Sequence, residues 1–580
     1  MTATTLRGQK SARTLKSFFP ILEWLPKYRA SYLRLDAIAA LTVWALLVPE
    51  AMAYAGIAGM PPETGLYAAP LALIGYAIFG TSKHLNVGPS STVAALSLSV
   101  VIGFAAVGSD EFIALTVMLA LLTGILLFIA GLLRLGVLAD FLSRPVLDGF
   151  VVGVAITVLV GQLDKLLGFA PDSADFVPEL LAFIGNLGQI HWATFFVGMI
   201  CLAALFLMHH YTPKIPAALT VMVLVIVISY LLDFSARGIH IVGEIPAGLP
   251  PFGLPTDVGL SEILALIPGA AGIAIVAFAE SVAVARSYAT KFNYKIDADQ
   301  ELVAVGVANA GSGFSGGFVV DGSLSKTAAS VGAGAATQMV SIIAGIAVLV
   351  TAVFLTPLFY YLPEAALAAI VIHAVWHLIN YRKIWRYRGV TGLDFWTSLV
   401  AAMGVLAIGI LQGIVLALVL GLFGLILAAK SRTSSVMGKA PGEETFRSLE
   451  HFPDGETYPG LLILRFDGPL FFANAPDFAD EIREGVALYD PKVVLVDGEA
   501  ISGIDATSII TILELRDELE RVGVDLRFAR VQSSVMAIME RLENREGIEA
   551  SETYVSVRAG VDAYLAESTP SDLAPNGNLD

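Results

Sequence analysis

The chain has 580 residues, of which 56% are hydrophobic and 15% charged, and its mean hydropathy is +0.75. Soluble globular chains run to roughly a quarter charged, so this composition excludes disorder and an ordinary soluble enzyme and points to a body that faces lipid. The net charge of −16 is uneven: residues 441–580 hold 28 acidic and 11 basic side chains, a net of −17, against +1 for residues 1–440. Acidity of this kind argues against nucleic acid as a partner, and a single cysteine, Cys201, excludes a disulfide framework and a thiolate metal site.

Residues 1–35 carry seven Lys/Arg and no terminal apolar core, which reads as an N-terminal cytoplasmic segment and not a cleavable signal. Beyond them, about 20 apolar residues cross a bilayer, so the distance between charges marks the spans. The uncharged runs Thr64–Ser82, His84–Ser109, Phe112–Leu133 and Gly149–Leu163 each fit one span. The runs Leu180–Pro213, Thr327–Pro363 and Phe395–Ala429 are too long for one helix and contain Gly or Pro breaks, so each holds more than one span or a span with a re-entrant piece. With the segments that carry a lone acid, around Glu50 and Glu280, fourteen membrane segments are expected across a transport domain of residues 36–430.

Lys and Arg favour cytoplasmic loops. With the N-terminus inside, the inner loops hold Lys83, Arg134, Arg144, Lys214, Arg286, Lys291, Lys295 and four basic residues between Arg382 and Arg388, while the outer loops hold Lys165 and Arg237. An even number of spans returns the C-terminal part to the cytoplasm, which gives a multi-pass protein of the cell inner (plasma) membrane. Residues 431–458, rich in Gly, Pro and Ser, read as a linker. Over residues 459–568 the pattern changes: Leu461–Phe466 and Val493–Val496 read as strands, each followed by a helical stretch, Asp477–Leu488 or Thr507–Leu519, which implies a small α/β domain. Residues 569–580 read as a flexible tail.

Two pairs of polar interruptions repeat along the membrane part. Glu50 in VPEAMAYAG and Glu280 in AFAESVAVA are lone acids in apolar runs, 230 positions apart, and GPSSTVAALS at Gly88–Ser97 lies 233 before DGSLSKTAAS at Asp321–Ser330. Paired interruptions of this kind mark transporters built from inverted halves with broken helices near the midplane, and seven spans per half turn the second half upside down. Pro89 suits a first helical turn, so Ser90, Ser91 and Thr92 fall where free N–H groups and the positive dipole end gather. Gly322, Ser323 and Ser325 offer the same in the other half, and two facing helix N-termini form an anion site. Either segment taken alone reads as simple capping by hydroxyls; the pairing is what points to a ligand.

These residues resemble the sulfate permease (SulP) family of anion transporters, which includes the motor protein prestin. The resemblance rests on VPEAMAYAGIAGMPPETGLYAA at Val48–Ala69, FGTSKHLNVGPSS at Phe79–Ser91, ESVAVARSYATKFNYKIDADQEL at Glu280–Leu302, DGSLSK at Asp321–Lys326 and a C-terminal part that looks like a STAS domain. It implies an α-helical polytopic fold of fourteen segments as a 7+7 inverted repeat. A core of segments 1–4 and 8–11 would move against a gate of segments 5–7 and 12–14. A homodimer in the lipid bilayer and a small inorganic or organic anion as substrate are also implied. Carried over by position, the pocket uses Glu50, Tyr54, Ser90, Ser91, Thr92, Ser323, Leu324, Ser325 and Lys326, with Glu280 for coupling. Many family members have Gln at the position of Glu50 and Arg at that of Lys326. A second buried acid favours proton coupling over simple exchange, and Lys attracts an oxyanion without reading its shape as a guanidinium does.

The expected function is therefore proton-coupled uptake of sulfate or a similar oxyanion by an elevator-like movement. Sodium-coupled bicarbonate uptake, proton-coupled dicarboxylate uptake, or an anion channel or exchanger are the alternatives. For Glu280 the competing reading is an ion pair with Lys326 or Arg286 that only holds helices together. No cofactor is expected: the GxGxxG at Gly311–Gly316 has no βαβ unit around it and reads as helix packing and a turn. His209, His210, His373 and His377 lack a matching carboxylate set, so no metal is expected either. In GIDATS, Gly503–Ser508, the position that carries a phosphorylated Ser in anti-sigma-factor antagonists is Ala506, which favours a scaffold or dimer-contact role over a phosphoswitch.

Overall fold

The computed structural model describes residues 15–137, 144–169, 176–212, 215–376, 378–389, 392–430, 434–546 and 553–568. His377 and the expected tail at 569–580 lie outside the described residues. The chain forms two compact units, residues 1–421 and 422–580.

In the first unit the helices α1 (Ala30–Ile57), α2 (Pro62–Phe79), α3 (Ser91–Val101), α4 (Asp110–Leu132), α5 (Arg144–Val160), α6 (Trp192–Tyr211) and α7 (Ala217–Leu232) form the first half. The second half runs α8 (Leu260–Lys291), α9 (Ala298–Phe314), α10 (Leu324–Gly332), α11 (Met339–Val350), α12 (Glu364–Trp376), α13 (Gly392–Ile408) and α14 (Ile410–Lys430), whose residues from Leu422 on are counted with the second unit. Among the described residues these fourteen helices, seven in each half, agree in number with the expected segments, and shorter helices such as Phe176–Gly185 and Tyr381–Tyr387 lie between them. Among the described residues, seven helical stretches are long and apolar enough to cross a membrane by length and composition. The run Leu180–Pro213 holds one span, α6, preceded by a short helix Phe176–Gly185. Phe395–Ala429 divides into α13 and α14 at Gly409, whose φ of +103° is open to glycine.

The chain turns between spans by local rules. Gly59, at φ +71°, lets the Met60 N–H bond the Ala55 carbonyl at 2.9 Å and close α1, and Pro62 then opens α2, where a missing N–H costs nothing. The helices sort into two groups: α9 packs along α4 and α2, α11 along α1 and α2, while α13 lies on α5 and α12 on α6. Where α4 meets α9, a Cβ on Gly124 would fall 2.5 Å from the Ala310 nitrogen and one on Gly306 2.7 Å from that of Phe128. Only backbones approach so closely, which is how membrane helices gain van der Waals contact without hydrophobic drive. Of the Gly311–Gly316 motif, Gly313 belongs to this surface, where a Cβ would meet Leu121 at 2.7 Å, while Gly311 lies against Leu71 of α2 and Gly316 turns the chain at φ +74°.

The second unit holds a six-stranded sheet in the order β4-β3-β5-β6-β7-β8: β3 (Ser434–Lys439), β4 (Phe446–Ser448), β5 (Leu461–Phe466), β6 (Val493–Asp497), β7 (Asp525–Ala529) and β8 (Thr553–Tyr554). Strands β5 to β8 are parallel, and β3 runs antiparallel to both β4 and β5. The segment read as a linker is thus partly sheet: β3 and β4 come from it, because their backbone groups pair although their side chains carry little apolar signal. Alternate residues of β5 serve opposite faces. Leu462, Leu464 and Phe466 pack with α15 (Ala475–Tyr489) and α16 (Ala506–Arg521), while Leu461 and Ile463 pack with α18 (Val557–Glu567), which follows α17 (Ser533–Glu546).

Candidate functional site

Each half of the membrane unit contains one helix that begins inside the packed core after a three-residue strand. Strand β1 (Asn86–Gly88) leads through Pro89 and Ser90 into α3, and β2 (Asp321–Ser323) leads directly into α10. The two strands pair antiparallel, with Asn86 opposite Ser323, Val87 opposite Gly322 and Gly88 opposite Asp321. This ladder satisfies backbone groups that lipid could not and sets the two helix starts at its opposite ends, α3 beyond Gly88 and α10 beyond Ser323, where N–H groups lack intrahelical partners and the dipoles present positive ends.

The strands are held from several sides. The Gly322 N–H donates to the Ser281 hydroxyl at 2.8 Å, and that hydroxyl donates to the Ala277 carbonyl at 2.5 Å. A Cβ on Gly322 would fall 2.8 Å from the Ser281 Cα, so glycine is what lets β2 lie against α8. Asn309 clamps the residue before β2, donating to the Val320 carbonyl and accepting from the Val320 N–H, both at 2.9 Å. On the other strand the Asn86 N–H donates to Thr327 Oγ1 at 3.1 Å, and Gln338 donates to the Ser82 and Leu85 carbonyls.

Side chains converge on this crossing. Lys326, 1% exposed, donates from Nζ to the Pro89 carbonyl at 2.7 Å and to Ser323 Oγ at 3.3 Å, stands 3.4 Å from Glu50 Oε2, and lies over the Tyr54 ring at 5.4 Å from its centre. One ammonium therefore joins α10, the end of β1 and α1. The structural ion pair that competed with the coupling reading of Glu280 is drawn differently here: Lys326 pairs with Glu50. Glu280, in the middle of α8, faces Thr92 at the start of α3 and Asp321 in β2. Asp321 is fully buried, and both of its carboxylate oxygens lack a hydrogen-bond partner among the described residues.

Of the residues singled out in the sequence, Glu50, Tyr54, Ser90, Thr92, Glu280, Ser323 and Lys326 meet at the crossing. Ser91 is buried in the first turn of α3. Leu324 and Ser325 are exposed in the first turn of α10, with Ser325 Oγ 3.1 Å from Ser323 Oγ. Asp321 is a site residue that the sequence does not single out, although it stands in DGSLSK as a charge at a helix break. A separate cavity of about 870 Å³, lined among others by Trp24, Lys27, Arg29, Lys83, Tyr294 and Lys295, includes none of the converging carboxyls. The His209 and His373 rings lie 5.5 Å apart, and no group of three or more His, Cys, Asp or Glu suited to a metal occurs among the described residues. In the second unit Asp505 caps α16, accepting from the Ser508 N–H at 2.9 Å and the Ser508 hydroxyl at 2.7 Å while also taking the Phe472 N–H at 2.8 Å; the exposed Ala506 follows it.

The sequence profile of the Sulfate permease family matches residues 33–401, and that of the STAS domain matches residues 453–559. A probable sulfate transporter of Mycobacterium tuberculosis is 34% identical over 546 residues, covering 93% of this chain and 96% of its own. The chloroplastic sulfate transporter 4.1 of Arabidopsis thaliana is 32% identical over 583 residues, 96% of this chain and 84% of its own. Among solved structures, the murine solute carrier 26 family member A9 anion transporter in its inward-facing state has a TM-score of 0.88 at 22% identity, covering 97% of both chains. The transmembrane domain of a cyanobacterial bicarbonate transporter has a TM-score of 0.59 at 22% identity, covering 68% of this chain and 98% of its own.

Proposed function

The chain belongs to the sulfate permease family, and from that premise we propose that it is a secondary active transporter taking up sulfate or a similar oxyanion together with protons. Anion transport is the level at which its relatives and its fold agree. The observation that carries the finer reading is the crossing of β1 and β2. A helix starts at each end of that ladder, Lys326 reaches from the start of α10 to the Pro89 carbonyl before α3, and Glu280 faces Thr92 and Asp321. Unpaired N–H groups and one ammonium attract an oxyanion, and a carboxyl in the same enclosed space supplies a group whose charge a proton can cancel. Packing is denser within α1–α4 and α8–α11 than between that group and α5–α7 and α12–α13, where α1 meets α7 and α12 and α3 meets α5, and this supports an elevator-like movement of a core that carries the whole crossing. In this reading the protein works as a homodimer in the inner (plasma) membrane, its N-terminus and STAS domain on the cytoplasmic side, as the distribution of Lys and Arg supports.

The test is uptake of labelled sulfate, bicarbonate and fumarate into proteoliposomes under an imposed pH gradient, an imposed sodium gradient, or neither. Accumulation of sulfate that follows the pH gradient is expected. Accumulation driven by sodium, or uptake of bicarbonate or fumarate with sulfate excluded, would overturn it.

A further inference from the structure

We propose that Asp321 and Glu280 share one proton and act together as the proton-carrying group of the transporter. The proposal rests on the proton-coupled reading above and adds to it a residue and a mechanism of charge control.

The two carboxyls are brought together by backbone. Ser281 follows Glu280 and Gly322 follows Asp321, and the Gly322 N–H donates to the Ser281 hydroxyl at 2.8 Å. Asn309 fixes the other side of Asp321 through both backbone groups of Val320. Asp321 has little freedom to turn away, yet the cap of α10 is Ser323, and although the Ser90 hydroxyl stands beside Asp321, neither carboxylate oxygen forms a hydrogen bond among the described residues. A fully buried carboxylate without a donor is among the most costly groups a protein can carry. Its neighbour Glu280 supplies the missing donor if one proton lies between the two carboxyls. Two adjacent carboxyls in an enclosed space oppose each other's ionisation and give up their protons in two steps that belong to the pair.

The charges around the pair give this proton a function. From α1 come Glu50 and Tyr54, from the start of α3 the hydroxyls of Ser90 and Thr92, and from α10 Lys326. Lys326 is engaged by Glu50 at 3.4 Å. With all three acids ionised the cluster carries two net negative charges and repels the anion that the helix starts would attract. One shared proton halves that charge, and a second removes it. Anion and proton therefore enter together by electrostatics alone. Exposure sets a direction: Glu280 keeps partial exposure whereas Asp321 has none, so the proton arrives through Glu280 and is retained by Asp321.

The experiment combines infrared difference spectroscopy with sulfate binding, on the full chain in lipid nanodiscs. At neutral pH the parent protein should show a protonated-carboxyl stretching component that disappears in both D321N and E280Q. Inorganic sulfate affinity should rise as pH falls, by up to about tenfold per pH unit for one linked proton, and this slope should flatten in D321N as it does in E280Q. Absence of the band from the parent protein overturns the pair whatever the variants do, as does its removal by sodium at fixed pH. So does a D321N protein that keeps both the band and the slope. A band lost in both variants, in a protein whose sulfate uptake ignores an imposed pH gradient, would leave the shared proton standing and overturn the transport reading instead.

Discussion

The two broken helices are copies in backbone and unlike in chemistry. At the 233-residue offset Gly88 corresponds to Asp321, Pro89 to Gly322, Ser90 to Ser323 and Val93 to Lys326. Both segments run as a short strand, a serine at the cap with extended backbone, and a helix starting inside the core. In the first half, however, the fourth position is a fully buried valine where the second half has a buried ammonium, and a glycine stands in place of the carboxylate. The lone acids follow the same asymmetry. Glu50 of the first half reaches across to Lys326, and Glu280 of the second half faces Asp321. Duplication thus supplied a symmetric cradle of helix starts, and all of its fixed charge converges on one of the two breaks.

The comparison breaks most sharply at Glu280. Glu280→Gln removes the partly exposed member of the carboxyl pair, and sulfate accumulation in proteoliposomes should then lose its response to a pH gradient, about tenfold for each pH unit and each coupled proton. Full pH-driven accumulation in the variant would move coupling to another group. Next in size is Lys326→Ala. Removing one partner of a buried ion pair strands the other, at a cost of about 3–5 kcal/mol, so thermal unfolding in detergent should shift strongly downward and sulfate binding should fall. Adding Glu50→Gln should recover part of the stability, because Glu50 is then no longer stranded without its ammonium. Glu50→Gln by itself should be mild, since Lys326 keeps the Pro89 carbonyl and Ser323 hydroxyl.

Much of this asymmetry was legible in the chain because a bilayer penalises unsatisfied polar groups, so every polar interruption of an apolar run stands out. Glu50, Glu280, GPSST and DGSLSK were all visible on that ground, and the spans followed from the spacing of charges. What could not be read is who meets whom. Glu280 beside Asp321 and Lys326 beside Glu50 are tertiary pairings that no local pattern encodes, and nothing in DGSLSK marks Asp321 as a buried carboxyl without a hydrogen-bond partner among the described residues. The start of the C-terminal domain was hidden for another reason. Ser434–Lys439 joins the sheet through antiparallel pairing with β5, which leaves almost no periodic signature in SSVMGK. A fragment of residues 434–568 should accordingly fold by circular dichroism. One of residues 459–568 would expose the edge of β5, and it should aggregate or melt well below the longer fragment.

Within that domain a smaller effect sharpens the contrast between a capped helix and the bare start of α3, where the Ser90 side chain makes no cap bond. Asp505→Ala removes the cap of α16 and should cost about 1 kcal/mol in the 434–568 fragment. Partial burial works to raise the Asp505 carboxyl, but the Ser508 hydroxyl, the Ser508 N–H and the Phe472 N–H outweigh it and hold the group below the usual carboxylate range. A depressed value in the folded state means that its stabilisation is complete above the unfolded value and is lost as pH falls through the folded one. Asp505→Asn should therefore flatten the acid side of the stability curve, and an unchanged acid limb would assign that dependence to other carboxylates.

The finest test compares one hydroxyl from each break. Ser325 is exposed in the first turn of α10 and meets the Ser323 hydroxyl at 3.1 Å, and Ser91 is buried in the first turn of α3. If the oxyanion is held mainly by backbone N–H groups and the two dipole ends, neither hydroxyl is indispensable. Ser91→Ala and Ser325→Ala should then each weaken sulfate binding by no more than about 1 kcal/mol, a factor of about five. The two effects should also be alike, because the halves share their backbone geometry even though they do not share charge. Calorimetric titration of sulfate into both single variants and the double variant reads this directly. A loss at Ser91 far above that at Ser325 would mean that the anion leans on the uncharged half, and the cradle would then be as asymmetric as the charges beside it.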